Sequence, residues 1–312
     1  MLKKITVLMA VYNPNVDWFK ELLESLIGQD FKDVEWLIMD DASDKMSISE
    51  LSDLIEHCFS LYGAKVSYKV VRGDNNIGSN EVYRTLMGLA EGDYIAFCDQ
   101  DDIWEKNKLS RLYEEISKRN GILAYADMLV IDSMGAQIQE SFQRANDIFG
   151  RISGKGKTSN LFIRNCAPGC NILVRKDALI QYNSIPKGTY WDHWLMILAS
   201  TQGEIVYIPE KLMRYRIHGT NQTGRFFDVF DKKSYFEKRI KPLYNRMVEM
   251  KKRDIHFINE EKIYEFIKAR YSENLFLIWK YRAFGKVDAY FEILLILLPD
   301  CIIKKGFKWI KK

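Results

Sequence analysis

The sequence predicts an α/β fold: a mainly parallel sheet flanked by helices, with a C-terminal helical extension. Three observations predict it. Short apolar, β-branched runs alternate with segments of helical spacing through the first hundred residues, the pattern of successive βαβ units with right-handed crossovers. Each apolar run ends in an acidic or amide-rich cluster. Beyond residue 224 the strand-like runs stop and amphipathic helical stretches take over.

Ile5 to Val11 is a continuous apolar run, as expected of a strand buried on both faces. Phe19, Leu22, Leu23, Leu26 and Ile27 then recur at helical spacing. Val34 to Met39 is a second strand, ending at Asp40-Asp41-Ala42-Ser43-Asp44, and Leu51, Leu54, Ile55, Cys58 and Phe59 mark the next helix. Val66 to Val71 is a third strand, followed by Arg72-Gly73-Asp74-Asn75-Asn76-Ile77-Gly78. A helix over 80–90 leads to a fourth strand, Tyr94 to Cys98. From 121 to 224 the pattern is mixed, with short strands at Ile122–Tyr125, Ile172–Val174 and Ile205–Ile208 and a helix from Trp191 to Thr201. The glycine-containing, basic segment from Arg144 to Asn160 reads as a long mobile loop able to act as a lid.

Composition narrows the class. The 312 residues are 47% hydrophobic and 28% charged, with a net charge of +4, enough for one large core or two smaller ones. The charge is uneven. Residues 225–312 hold 21 Lys and Arg against 12 Asp and Glu, a net of +9, which leaves −5 for the body and points to a boundary near Gly224. An acidic body argues against nucleic acid as a partner. Five cysteines without a paired framework read as reduced thiols of a cytoplasmic protein. The apolar start stops at Asn13-Pro14 and reads as a first strand, not a leader. The run Ile293–Leu298 is far short of the roughly 20 residues that span a bilayer.

Asp99-Gln100-Asp101-Asp102 carries the densest chemistry. Asp99 and Asp101 lie two residues apart, on one side of an extended chain. Close like charges are unfavourable unless a cation offsets them. Carboxylates plus a substrate phosphate suit Mg2+ or Mn2+. In parallel sheets ligands bind beyond the carboxyl ends of the strands, where Asn13, Asp40-Asp41, Asp74 to Gly78 and Asp99 to Asp102 all fall. There is no G-x-G-x-x-G after the first strand, no G-x-x-x-x-G-K-[ST] and no G-x-S-x-G, so phosphates here would meet a metal and side chains, not a glycine cradle.

Ala10-Val11-Tyr12-Asn13, Asp40 to Asp44, Asn75-Asn76-Ile77-Gly78, Asp99 to Asp102 and Trp191-Asp192-His193-Trp194 occur in the order and spacing of the family 2 glycosyltransferases, which the chain resembles from residue 3 to about 224. Within that family, Cys98 to Trp104, Tyr190 to Trp194 and Tyr215 to Asn221 look most like bacterial rhamnosyltransferases of cell-wall and capsular polysaccharide assembly. The resemblance implies a GT-A, Rossmann-like nucleotide-diphospho-sugar transferase fold and an inverting reaction. It divides the body into a nucleotide-binding half, 1–103, and an acceptor-binding half, 104–224. It implies a nucleoside-diphosphate sugar donor, dTDP-rhamnose first and UDP-sugars behind it, and a saccharide acceptor, potentially on a lipid carrier. Ala10, Tyr12, Asn13, Asp41, Asn76, Gly78, Asp99 and Arg216 would face the donor. Asp101, Asp99 and His218 would hold the metal. Asp192 would be the general base, with Trp191, His193 and Trp194 on the acceptor side.

The basic, aromatic tail over 290–312 has two readings: peripheral contact with the inner face of the plasma membrane, or packing on the body or a second subunit of a homodimer.

Overall fold

A computed structural model describes residues 4–61, 67–145, 151–219 and 229–310. The strands are β1 (Ile5–Val11), β2 (Val34–Asp40), β3 (Ser67–Arg72), β4 (Tyr94–Cys98), β5 (Ile103–Trp104), β6 (Leu123–Ile131), β7 (Gln137–Gln139), β8 (Ile172–Arg175) and β9 (Ile205–Arg216). They form one sheet in the order β3-β2-β1-β4-β8-β6-β9-β5, with β7 added to β6. β3, β2, β1 and β4 are mutually parallel. β8 runs against β4 and β6, while β6 and β9 return to the first direction. β5 and β7 run the other way, so the sheet is mostly parallel, as expected.

The central strands β1 and β4 are apolar almost throughout because both faces are covered, whereas β3 and β7 are largely exposed. In β1, Val7 and Met9 enter one core while Leu8 enters the other, as the two-residue strand period requires. One face packs against α1 (Val16–Ile27), α2 (Ile48–Leu61) and α4 (Lys108–Lys118) through residues such as Leu22, Ile55 and Leu112. The other packs against α3 (Ser79–Leu89), α6 (Thr158–Ile163) and α7 (Trp191–Gln202), with the short α5 (Phe142–Ala145) falling between α3 and α6 in sequence.

Two expectations change. β9 runs straight through Pro209: Ile208 pairs with Ala126 and Lys211 with Asp127, so Pro209 and Glu210 form a bulge, where a missing N–H is tolerated. The expected mobile loop is largely built in. Ile152 is buried, the Gly154 and Ile205 backbones exchange hydrogen bonds, and Thr158–Ile163 is a buried helix. Residues 146–150 lie outside the described residues, as do Thr220, Asn221 and the expected boundary at Gly224.

Residues 229–310 are helical: α8 (Lys232–Tyr235) passes through one π turn into α9 (Lys241–Lys252), then come α10 (Glu260–Tyr271), α11 (Leu275–Lys280), α12 (Arg282–Gly285), α13 (Val287–Leu297) and α14 (Asp300–Ile310). α9 and α10 extend the second core through Leu243, Met247, Ile263 and Phe266. A buried ion pair ties α10 to α13: Arg270 Nε donates to Glu292 Oε2 at 2.7 Å, and the Tyr235 hydroxyl donates to Glu292 Oε1 at 2.8 Å. Among the described residues no helix is long and apolar enough to cross a membrane. Removing one partner of such a pair strands the other charge in the interior. Arg270→Met is therefore expected to lower unfolding free energy by about 3–5 kcal/mol, measured by urea denaturation; an unchanged midpoint contradicts this role for the pair.

Candidate active site

Because β8 is reversed, its amino end meets the carboxyl end of β4 and pairs with β6 at Tyr125. The 3-10 turn Gly169–Asn171 therefore joins the residues following β1, β2, β4 and β9. Three carboxylates follow β4 within four residues, and each is held differently. Asp99 accepts the Tyr83 hydroxyl at 3.0 Å. Burial and the neighbouring Asp101 raise its pKa to about 6. Asp101 points outward and pairs with His218, Oδ2 to Nε2 at 2.6 Å; the His218 ring also lies 4.8 Å from that of Trp18. Asp102 is fully buried and accepts the Arg216 backbone N–H at 3.0 Å. Burial, then Asp101 and Asp99, push its pKa well up.

Beneath them lies an internal cation. Lys108 is buried, donates to the Cys170 carbonyl at 2.7 Å, and sits 3.6 Å from the Trp104 ring centroid. Burial lowers its pKa to about 8, opposed by the Cys170, Cys98, Asp102 and Asp99 side chains around it. It occupies the same helical stripe as Leu112 and Ile116, a signal readable in the sequence.

Two donor sets could hold a divalent ion. Asp99, Asp102 and Cys170 have ligand atoms within 4.8 Å of one another. Burial pushes the Cys170 thiol well up, however, and the Lys108 ammonium already faces that set, so it suits neither Mg2+ nor Mn2+, which prefer hard oxygen donors. Asp101 with His218, next to Asp99, offers a half-buried carboxylate–imidazole pair at the rim. This set fits.

Asp192 lies in the first turn of α7. It accepts its neighbour's N–H (His193) at 2.7 Å and Asn165 Nδ2 at 3.0 Å. Burial raises its pKa to about 6, with the Asp99 charge adding to the rise, which links Asp192 to the acidic turn across the rim. Two contacts fix the start of α7. Asn80 accepts the Trp191 N–H at 2.9 Å and donates to the Thr189 carbonyl at 3.0 Å. The Trp191 ring stacks over Gly169 against Tyr83 and Phe97, 4.2 and 4.5 Å between centroids.

On the β1–β3 side, Asp41 accepts the Ile77 and Gly78 N–H groups at 2.7 and 2.9 Å and so holds the loop before α3. Gly78 has φ +79° there, a conformation that favours glycine; Asn76 is exposed beside it. Asn13 Oδ1 accepts from Asp44 and Lys45 N–H at 3.1 and 3.0 Å, tying the turn after β1 to the turn after β2. Tyr12 is exposed, and its backbone exchanges hydrogen bonds with the Gln100 side chain. Ala10 is half-buried in β1, paired with Met39.

Three expectations are not met. Arg216 does not face a donor: it is 1% exposed, its Nε donates to the Asp101 carbonyl at 2.9 Å, and its guanidinium pairs with Glu21. It holds the acidic turn in place. Trp194 is fully buried under Arg253, and His193 turns inward, Nε2 2.6 Å from the Leu161 carbonyl, its pKa lowered to about 3 by burial. Neither side chain reaches an acceptor. Sequence reasoning missed Asn80, Tyr83, Lys108, Asn165 and Gly169. Only Lys108 carried a signal, as a charge on an apolar stripe.

A sheet of this topology with carboxylates gathered at one rim is the architecture of the nucleotide-sugar transferases. The chain belongs to glycosyl transferase family 2, whose sequence profile matches residues 6–182. It is 25% identical over 314 residues to dTDP-rhamnosyl transferase RfbG of Shigella flexneri, covering 93% of this chain and 99% of that one. To the UDP-Glc:alpha-D-GlcNAc-diphosphoundecaprenol beta-1,3-glucosyltransferase WfgD of Escherichia coli it is 26% identical over 229 residues, 72% of this chain and 81% of that one. The fold is shared with mannosyltransferase PcManGT from Pyrobaculum calidifontis, solved with GDP-Man and Mn2+: TM-score 0.58 at 14% identity, covering 99% of this chain and 81% of that one. The chain is thus a glycosyltransferase.

A Cβ on Gly169 would lie 2.2 Å from the Trp191 ring and 3.2 Å from Asp192 Cβ. Gly169→Ala is expected to lower stability by about 1–3 kcal/mol and to alter the near-ultraviolet circular dichroism of Trp191. A spectrum and melting curve identical to wild type would contradict this packing.

Proposed function

We propose that the chain transfers a sugar, with inversion, from a nucleoside-diphosphate donor to a hydroxyl of a saccharide carried on a lipid, and that rhamnose from dTDP-rhamnose is the donor of choice. The likeness to RfbG along nearly the whole chain supports the rhamnosyl reading. The diphosphoundecaprenol-linked acceptor of WfgD supports a lipid carrier, and its UDP-glucose donor makes a UDP-hexose the second reading. Residues up to about 224 form the catalytic body in this reading, working at the cytoplasmic side, with 225–312 as its helical extension.

The observation that carries the proposal is Asp192, a carboxylate raised to about 6 at the same rim as the acidic turn. Such a group is ionised at neutral pH yet basic enough to take a proton. The nucleotide would lie across β1–β3, against Asp41, Asn76 and Gly78, and beside Tyr12, Asn13 and Ala10. Asp192 takes the acceptor hydroxyl proton as that oxygen bonds to the anomeric carbon. The bond from that carbon to the diphosphate breaks on the opposite side, and a single displacement inverts the centre. Asn165 holds the Asp192 carboxylate in position, and Trp191 forms the wall beneath the acceptor. Mg2+ or Mn2+, held by Asp101, His218 and Asp99, would supply Lewis-acid neutralisation of the departing diphosphate.

Titrating nucleotide sugars against a saccharide acceptor, with released nucleoside diphosphate as the readout, tests the reading. Asp192→Asn is expected to lose about 10^2- to 10^4-fold in turnover while calorimetric affinity for the nucleoside diphosphate stays within about twofold. Wild-type turnover by that variant would remove Asp192 from the mechanism. The raised carboxylate must be ionised to act, so kcat/KM should hold above pH 6 and fall about tenfold per unit below it; a flat profile down to pH 4.5 contradicts this. Chelation should abolish transfer and Mn2+ restore it, whereas Asp101→Asn should not be rescued; full activity after chelation would exclude a metal.

A further inference from the structure

The C-terminal helices carry an apolar surface that nothing among the described residues covers. On α13, Val287, Tyr290, Leu294 and Leu297 are 52, 48, 55 and 62% exposed and recur at helical spacing, a single stripe. The opposite side of the same helix buries Ala289, Glu292 and Leu295. The stripe continues onto α11, where Phe276 and Trp279 are exposed and the Trp279 ring meets that of Tyr290 at 5.9 Å. Arg282 lies over Trp279 at 4.3 Å. On α14, Ile303 and Phe307 are buried, leaving Ile302, Trp309, Lys304, Lys305 and Lys308 outward.

Charge decides what fits this surface. Residues 274–312 hold eight Lys and Arg against three acidic residues, a net of +5. Of those three, Glu292 is buried against Arg270, Asp288 lies 3.8 Å from Arg164, and Asp300 pairs with Lys304. A symmetric contact with a second copy would set these lysines against themselves. An anionic lipid surface meets both properties: apolar and aromatic side chains enter the acyl boundary while Lys and Arg reach the headgroups. The Arg164–Asp288 contact also places the start of α13 one residue from Asn165, which holds Asp192.

We infer that α11, α13 and α14 form a surface that docks on an anionic lipid bilayer and brings the Asn165–Asp192 side of the site towards it. This deepens the proposed function and rests on it for the nature of the acceptor. The five cysteines include one exposed thiol, Cys301, beside Ile302, so a polarity-sensitive fluorophore there reports docking on the full chain.

The test is vesicle flotation with labelled protein, using pure phosphatidylcholine and phosphatidylcholine with one-third phosphatidylglycerol. Binding to the anionic vesicles with a blue shift of the label is expected, with at least about tenfold weaker binding to the neutral ones. The double substitution Leu294→Glu/Leu297→Glu and the triple substitution Lys304→Glu/Lys305→Glu/Lys308→Glu should each weaken anionic-vesicle binding about tenfold or more. Both variants should keep wild-type transfer to a water-soluble saccharide, which separates loss of docking from failure of the catalytic reading. Equal binding to both vesicle types, wild-type binding by either variant, or a dimer in light scattering that Leu294→Glu/Leu297→Glu dissolves would overturn the inference.

Discussion

Everything at the rim follows from the need to hold three carboxylates within four residues against their own repulsion. The fold solves this by sending them to three environments. Asp99 turns to a buried phenol, Asp101 to the imidazole of His218, and Asp102 into the interior beside Lys108. Lys108 matters because a buried ammonium is itself unfavourable unless it has partners; its carbonyl bond, the Trp104 face and the surrounding acids provide them. Arg216 closes the arrangement from above through the Asp101 carbonyl and Glu21. The buried ammonium thus lies among the inward-facing acids, while Asp101 lies nearer the surface, paired with His218.

The second half of the site depends on close approach. Trp191 can lie over Gly169 only because no Cβ stands there. That contact, with the Asn80 clamp, sets where α7 begins and so where Asp192 points. The elevated pKa of Asp192 is a consequence of the same packing: burial first, and then the field of Asp99. Position and proton affinity are therefore set together by one packing arrangement.

The parallel half of the sheet was legible because its period is unambiguous: Ile5–Val11 and Tyr94–Cys98 are apolar on both faces, and both faces are covered. Pro209 reads in sequence as a strand end, whereas β9 continues through it as a bulge that only the pairing reveals. The segment around Ile152 looks mobile in sequence because its glycines and lysines hide one buried anchor and a short helix. Among the candidate site residues, the acidic turn stands out in the sequence by its own charge pattern and Asp192 by the resemblance. Arg216 reads in sequence as a phosphate contact because a cation near clustered carboxylates suggests one, whereas its acceptors include a main-chain carbonyl that no sequence displays. Asn165 and Gly169 were illegible for the same reason: their roles lie in where the backbone places them.

The most direct measurement of the central claim is anomalous diffraction from crystals grown with Mn2+ and a nucleoside diphosphate. The account predicts one manganese peak touching Asp101 and His218, with Asp192 facing the same cleft. A peak within Asp99, Asp102 and Cys170, or a diphosphate bound away from Asp101, would contradict it.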